Sequence, residues 1–367
     1  MNDDLYYQIA LTQVKGIGVS LAKSLDAHCG SARKVFEASD QYLLEVNGVG
    51  EQLLSALKDK SVFEKAEKEM EFISRHAITG LHFRADCYPA LLKSCTDAPY
   101  LMFYKGNTGA LRKPMIAVIG TRKSTHYGKD LCESLAKDLS LIAPNVNIVS
   151  GLAYGIDIAM HRSALDAGLA TVGVLAHGLD RIYPDQHRQT AVGMLKNGGL
   201  LTEFLTETRP DKQNFVLRNR IVAGMSAATI VVESASSGGA LITAGMAGRY
   251  KRQLFAFPGK VGDAQSEGCL QLIKSKKAGM ITSAADLVEQ MGWITSVPDS
   301  GIQRKLFPEF SKEEAPVMDL LASSPCRIDD MAAIIDMPVH KLSAMLFELE
   351  LRGIVRACPG GIYKRMV

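Results

Sequence analysis

Arg122 closes the run Ile119-Gly120-Thr121-Arg122, and its planar guanidinium suits bidentate contact with a phosphate. Two further glycine turns follow apolar runs. One reads Ser150-Gly151-Leu152-Ala153-Tyr154-Gly155-Ile156-Asp157, the other Ser236-Ser237-Gly238-Gly239-Ala240. Glycine lets a backbone come close to an anion, and the free amides that open a helix point towards it. A single such turn needs no purpose beyond joining a strand to a helix. Several on one sheet edge, one with a cation, favour anion binding. Further along, Arg209-Pro210-Asp211-Lys212-Gln213-Asn214-Phe215-Val216-Leu217-Arg218-Asn219-Arg220 sets four basic residues around an aromatic ring. Cations that pair phosphates beside a ring on which bases stack suit single-stranded nucleic acid. Cations at a helix start oppose the macrodipole, so a negative group is expected near them. Asn214 is a candidate cap for that helix. Arg218 and Arg220 have two uses open to them: phosphate contact, or internal ion pairs with Asp157 or Glu233. The candidate contacts are therefore Gly120, Thr121, Arg122, Ser150, Gly151, Lys212, Phe215, Arg218, Arg220, Gly238 and Gly239.

Other chemistries lose their support. No G-x-G-x-x-G follows the first strand, and no G-x-x-x-x-G-K-[ST] occurs, so dinucleotide and P-loop readings fall away. His161, His177 and His187 are scattered without metal-ligand spacing, and no serine stands in a G-x-S-x-G elbow. No catalytic residue, metal or cofactor is expected.

The candidate residues sit where strands give way to helices. Apolar runs at 115–119, 146–149, 171–175, 199–203, 229–233 and 253–257 alternate with amphipathic stretches at 127–140, 155–167, 186–196, 215–225 and 240–249. Continuous apolar strands between helices mean a mainly parallel sheet covered on both faces, a Rossmann-like doubly wound α/β fold. Residues 1–80 read as helical. Val14-Lys15-Gly16-Ile17-Gly18 recurs as Val46-Asn47-Gly48-Val49-Gly50, a repeat of helix-hairpin-helix (SAM-like) type. Residues 81–292 form the Rossmann-like domain and 293–312 a linker. Residues 313–367 show three helices and a hairpin around Pro359-Gly360, a winged-helix pattern.

Composition is that of an ordinary globular chain, with 47% hydrophobic and 22% charged residues in 367. The seven cysteines include no CxxC pair, which argues against a disulfide framework or a cysteine zinc site. There is no run of eighteen apolar residues and no basic leader, so a cytoplasmic protein without a membrane span is expected. The net charge of +3 divides into −3 over 1–80, +6 over 81–300 and zero over 301–367. The basic excess therefore lies on the segment that carries the candidate site.

Taken in order, Ile119-Gly120-Thr121-Arg122, Ser150 to Asp157, Gly178-Leu179-Asp180, Tyr183-Pro184, Asn214-Phe215, Arg218-Asn219-Arg220, Gly239 with Leu241 to Ala244, and Phe257-Pro258-Gly259 resemble the DNA-processing protein A family (DprA, also called Smf) over roughly residues 85–290. The resemblance implies a non-enzymatic protein that binds single-stranded DNA during natural transformation. It implies a homodimer that loads the RecA recombinase, protects incoming DNA and helps displace single-strand-binding protein. In that family the pocket uses the arginine of the Gly-Thr-Arg loop, here Arg122, and a lysine and phenylalanine three apart, here Lys212 and Phe215. The sequence departs from the family at Tyr154, where arginine or lysine is common, at Ser237 to Leu241 and at Leu270. Two alternatives remain. One is a nucleotide-phosphoribohydrolase-like enzyme, whose catalytic glutamate position Gly245 occupies. The other is a winged-helix regulator of duplex DNA, although His340, Lys341, Ser343, Glu348 and Glu350 suit the major groove poorly.

Overall fold

The computed structural model describes residues 3–293, 310–311 and 313–366. They form two compact units, Met1–Val297 and Pro298–Val367. Among the described residues no helix is long and apolar enough to cross a membrane.

In the first unit, six helices come first: α1 (Asp3–Gln13), α2 (Val19–Cys29), α3 (Ala32–Glu37), α4 (Asp40–Leu43), α5 (Glu51–Leu57) and α6 (Ser61–Arg75). The glycine repeat takes the same form twice. Gly16 and Gly48 stand at φ +91° and +95°, where an L side chain is strained, and Gly18 and Gly50 then cap α2 and α5 in extended conformation. The two hairpins pack reciprocally. A Cβ on Gly16 would lie 3.4 Å from Leu53 Cδ1, and one on Gly48 3.7 Å from Leu21 Cδ1.

A nine-stranded sheet follows: β1 (Thr79–His82), β2 (Leu101–Gly106), β3 (Met115–Ile119), β4 (Asn147–Ser150), β5 (Thr171–Val174), β6 (Gly199–Thr202), β7 (Ala228–Val231), β8 (Gln253–Ala256) and β9 (Gly279–Met280), in the order β1-β2-β6-β5-β4-β3-β7-β8-β9. From β6 to β9 every pairing is parallel; β2 and β1 join antiparallel at one edge. The parallel strands match the apolar runs of the sequence. The antiparallel edge and β9 extend the sheet beyond that reading. The helices are α7 (Ala90–Lys93), α8 (His126–Ile142), α9 (Ile156–Asp166), α10 (Arg188–Met194), α11 (Lys212–Met225), α12 (Gly239–Arg249), α13 (Glu267–Lys274) and α14 (Ala284–Gln290).

Strand alternation divides the core. Ile116 and Val118 of β3 face Cys132, Leu135 and Leu139 of α8 and Met160 of α9. Met115, Ala117 and Ile119 face the other way, into the cluster of Ile221, Val222 and Met225 from α11 and Ala244 from α12. The chain moves outward from β3 to β6 on one side, then returns to lay β7 on the other side of β3. The switch point therefore falls between β3 and β7, where open α/β sheets bind ligands.

The N-terminal helices share a core with the sheet edge: Leu101 and Phe103 of β2 pack among Ile9, Leu25 and Leu54. Two buried carboxylates join the parts. Glu69 of α6 accepts hydrogen bonds from the Thr206 amide at 3.0 Å and hydroxyl at 2.6 Å. Asp26 of α2 meets His82 Nε2 at 2.8 Å, the Tyr100 hydroxyl at 3.0 Å and Arg84 at 3.4 Å.

The second unit holds α15 (Ala315–Ser323), β10 (Cys326–Arg327), α16 (Ile328–Ile335), α17 (Val339–Leu351), β11 (Val355–Cys358) and β12 (Ile362–Arg365), with sheet order β10-β12-β11. This is the expected winged helix. Its third helix, α17, leaves Phe347 and Leu351 exposed, at 61% and 74%. The linker expected over 293–312 lies almost wholly outside the described residues.

Burial works to raise the Asp26 carboxyl, but hydrogen bonds from His82 and Tyr100 outweigh it and hold it below the ordinary carboxylate value. A depressed pKa contributes stability in full above the unfolded value of about 3.9, and that contribution is lost as pH falls through the folded value. Asp26→Ala is expected to cost about 2–4 kcal/mol at neutral pH, because it leaves the Tyr100 hydroxyl buried without its acceptor. Urea unfolding followed from neutral pH into the acid range checks this: the gap between variant and wild type should narrow as the pH drops.

Candidate nucleic-acid cleft

The carboxyl ends of β3, β4 and β7 open onto a cleft of about 610 Å³. It is lined by Gly120, Thr121 and Arg122 from the β3–α8 turn and by Gly151 after β4. Lys212, Phe215 and Arg218 come from α11, and Gly238 and Gly239 from the start of α12. Nine of the eleven candidate residues therefore share one cleft.

Helical spacing accounts for the α11 contribution. Lys212, Phe215, Asn219 and Val222 recur at intervals of three and four, so they lie along one face. Asp211 opens the helix: its side chain accepts from the Asn214 amide at 2.8 Å. Asn214 is not the cap; its side-chain amide donates to the Arg209 carbonyl at 3.1 Å.

Arg218 is the floor of the cleft and is 3% exposed. It donates to the Gly151 carbonyl at 2.7 Å and to the Val174 carbonyl, tying together the ends of β4 and β5. Burial pulls its guanidinium down to about 10, with Asp157 opposing the shift, and it stays charged at neutral pH. Asp157 is buried beside it and accepts from the Gly151 amide at 3.1 Å and the Ala153 amide at 3.4 Å. The amides of the second glycine turn are thus taken by the protein's own carboxylate. Gly151 is required by this packing, since a Cβ there would come within 2.5 Å of Arg218 Nη2. Gly155 (φ +78°) is required too, since its Cβ would strike the Thr121 carbonyl at 2.1 Å. Gly238 and Gly239 differ. A Cβ on either meets nothing within 4 Å, although Gly238 stands at φ +149°, and both line the cleft at the start of α12, which no side chain caps.

Arg122 is exposed and pairs with no carboxylate among the described residues; its guanidinium lies 4.9 Å from the centre of the half-buried Phe215 ring. Arg218 lies 5.8 Å from the same ring, and the Tyr183 ring stands 6.0 Å away. Lys212 is likewise exposed and unpaired. The cleft's carboxylates are Asp157 and Asp211, one accepting from the Gly151 and Ala153 amides and one capping α11. The charge left for a ligand is positive.

Two candidates fall outside the cleft. Arg220 turns away from it. It pairs with Glu203 and donates to the Asp97 carbonyl. Two residues along a helix is a rotation of about 200°, so Arg218 and Arg220 face opposite ways. Glu233 is no arginine partner either; it accepts from the Thr125 amide at 2.9 Å and from the Thr125 hydroxyl. Ser150 is buried, and its hydroxyl donates to the Val118 carbonyl at 2.6 Å. Thr243 and Ile242 of α12 do line the cleft and escaped the sequence reading, although their spacing from Gly239 was the available signal. His161 is fully buried, with Nδ1 2.7 Å from the Thr171 hydroxyl, and burial lowers its pKa to about 3. Among the described residues no cluster could hold a metal.

Fold and cleft define a class: a doubly wound α/β protein with a basic, aromatic-floored cleft at its switch point, followed by a winged helix. Residues 80–292 match DNA recombination-mediator protein A, and residues 307–361 match the DprA winged helix domain. The chain belongs to the DNA recombination-mediator protein A family. It is 35% identical to Protein Smf of Escherichia coli (strain K12), over 76% of this chain and 75% of that protein. The structure resembles DNA processing protein A from Streptococcus pneumoniae, with a TM-score of 0.63, 29% identity, and coverage of 78% of this chain and 97% of that one. It also resembles DNA processing protein A from Helicobacter pylori, described for its single-stranded DNA binding mode, with a TM-score of 0.52, 28% identity, and coverage of 59% and 97%.

The glycines give a direct check. Gly151→Ala is expected to destabilise the protein by about 1–3 kcal/mol, because the Arg218 bridge must shift. Gly239→Ala should leave stability unchanged or raise it by up to about 1 kcal/mol. Thermal unfolding of the two variants distinguishes them.

Proposed function

We propose that this chain binds single-stranded DNA in the switch-point cleft without acting as an enzyme. The observation that carries the reading is one cleft that brings together Arg122 and Lys212, without carboxylate partners among the described residues, the Phe215 ring 4.9 Å from Arg122, and the uncapped start of α12 at Gly238 and Gly239. Two mobile cations suit successive phosphates, a ring suits a base, and none of these groups reads sequence. The Helicobacter pylori relative, described for its single-stranded DNA binding mode, supports the assignment. A phosphoribohydrolase reading finds less support. Gly245 stands where that chemistry needs an acid, and the carboxylates lining the cleft are already engaged.

Family membership supports a wider role. In this reading the protein works in the cytoplasm as a homodimer during natural transformation. It protects incoming strands, displaces single-strand-binding protein and delivers the strands to RecA. The winged helix serves protein contact, because α17 presents Phe347 and Leu351 where a duplex reader would present polar groups.

Oligothymidylate should bind with an affinity that falls steeply as salt rises, and duplex DNA should bind more weakly. Arg122→Ala and Lys212→Ala should each flatten the salt slope by about 0.7, and Phe215→Ala should cost about 1–3 kcal/mol. Fluorescence anisotropy over a salt series measures all three. Equal affinity for duplex and single strand, indifferent to these changes, would sink the assignment. A RecA strand-exchange assay on DNA coated with single-strand-binding protein tests the delivery step: wild type should relieve the block and Arg122→Ala should not.

A further inference from the structure

Two exposed tyrosines stand outside the cleft on the same edge of the sheet. Tyr183 is 44% exposed, lies on the connection from β5 to α10, and places its ring 6.0 Å from Phe215. Tyr154 is 42% exposed, lies on the turn from β4 to α9, and places its ring 5.2 Å from His187 at 71°. Neither lines the cleft, although Tyr154 follows Ala153, which does. The two are connected through a short rigid segment. The His187 amide donates to the Pro184 carbonyl at 3.0 Å, closing the turn that begins beside Tyr183. His187 is buried, and its Nδ1 lies 2.9 Å from the Leu152 carbonyl, which pins that turn to the loop carrying Tyr154. One end of the turn therefore touches Phe215 and the other touches Tyr154.

Neither tyrosine hydroxyl has a hydrogen-bond partner among the described residues. A tyrosine retained for structure normally buries its ring or satisfies its hydroxyl. These two do neither fully. One cation stands near: Arg162 is exposed, reaches the Thr190 hydroxyl at 3.4 Å and acts on the His187 imidazole against which Tyr154 packs. Exposed rings in series with a cation nearby are an arrangement that suits single strands, whose bases stack while their phosphates pair. A protein surface would not require the rings to continue from Phe215.

We propose that Tyr183 and Tyr154 form an aromatic track that continues the single-stranded DNA path from Phe215 out of the cleft across the β5–α10 connection. The proposal rests on the cleft being a single-stranded DNA site and adds the direction the strand takes and two stacking positions. Both positions offer a ring and no charge. The track therefore adds affinity for longer strands without adding to the salt dependence.

The test uses the full-length protein with oligothymidylates of about 6 and about 20 nucleotides, lengths that span the site sizes of single-strand binders. Tyr154→Ala and Tyr183→Ala should each weaken binding of the long strand about fivefold to tenfold, leave the short strand unchanged and leave the salt slope unchanged. Tyr154→Phe and Tyr183→Phe should bind like wild type, because the ring and not the hydroxyl is used. Photo-cross-linking with 5-iododeoxyuridine in the long strand should label the peptides carrying Tyr154 and Tyr183. If Arg122→Ala weakens both lengths while the tyrosine variants weaken neither, the track is wrong and the cleft assignment stands. If wild type binds neither length, the cleft assignment has failed and the track fails with it. Loss of short-strand binding in the alanine variants, or failure of phenylalanine to substitute, overturns the track. So does a change in sedimentation without a change in DNA affinity, because the surface then serves protein contact.

Discussion

Arg218 carries a full charge at a position only 3% exposed, and that charge has to be answered from inside the protein. Asp157 answers it electrostatically, and the carbonyls of Gly151 and Val174 answer it with hydrogen bonds. The consequences spread to every neighbour. Residue 151 must be glycine, because a Cβ would press on the guanidinium. The second glycine turn wraps round Asp157, so its amides are spent on that carboxylate. The turn's other glycine, Gly155, packs against the Thr121 carbonyl and so fixes the loop that carries Arg122. The buried guanidinium, bonded to the Gly151 and Val174 carbonyls and influenced by the nearby Asp157 carboxyl, holds the ends of β4 and β5 together and lies 5.8 Å from the centre of the Phe215 ring.

This division of labour sorts glycines that look alike in sequence. Gly120, Gly151 and Gly155 are packing glycines: each would place a Cβ within 2.9 Å of neighbouring atoms. Gly238 and Gly239 are open, at the start of a helix of eleven residues with no side-chain cap. The free helix amides of the cleft therefore lie on the α12 side. The cleft's exposed cations stand on the other two elements, Arg122 on the β3–α8 turn and Lys212 on α11, the helix that also carries Phe215.

Much of this was legible beforehand. Six of the seven parallel strands, β3 to β8, stand within a residue or two of their apolar runs, because a strand buried on both faces writes itself as an unbroken hydrophobic stretch. The three helices and hairpin expected over 313–367 are present, the third helix, Val339–Leu351, being bounded by Pro338 and Gly353. Arg122 on its glycine turn and the basic, aromatic cluster over 209–220 came from composition and spacing, while Lys212 and Phe215 as a pair came from the family resemblance. What failed was direction. Ser150 and Gly151 are neighbours, but strand alternation sends the first towards Val118 and leaves the second in the cleft. Arg218 and Arg220 are separated by half a helical turn, and the partner of Arg220, Glu203, lies on a different strand connection. Pairings of that kind depend on tertiary neighbours that no local pattern records. The edge strand β2 was missed for a related reason. It packs against Ile9 and Leu25 of the N-terminal helices, and that packing joins residues 1–80 to the sheet as one compact unit.

The contact between Arg122 and Phe215 bears on how the cleft is used. With the guanidinium 4.9 Å from the ring centre, the two groups that a strand needs are already occupied with each other. A base that stacks on Phe215 must share or displace Arg122, and a phosphate that draws Arg122 away exposes the ring. Charge pairing and stacking are therefore one event at this position, not two independent contributions. The energies of the two residues are expected to be coupled, as they are for groups in direct contact. Arg218 does not take part in the exchange, because its hydrogen bonds to Gly151 and Val174 hold it in place. The ring thus has two guanidiniums beside it, one tied to backbone carbonyls and one exposed and without a carboxylate partner among the described residues. An exposed cation coupled to an aromatic ring suits recognition of a backbone without regard to its sequence.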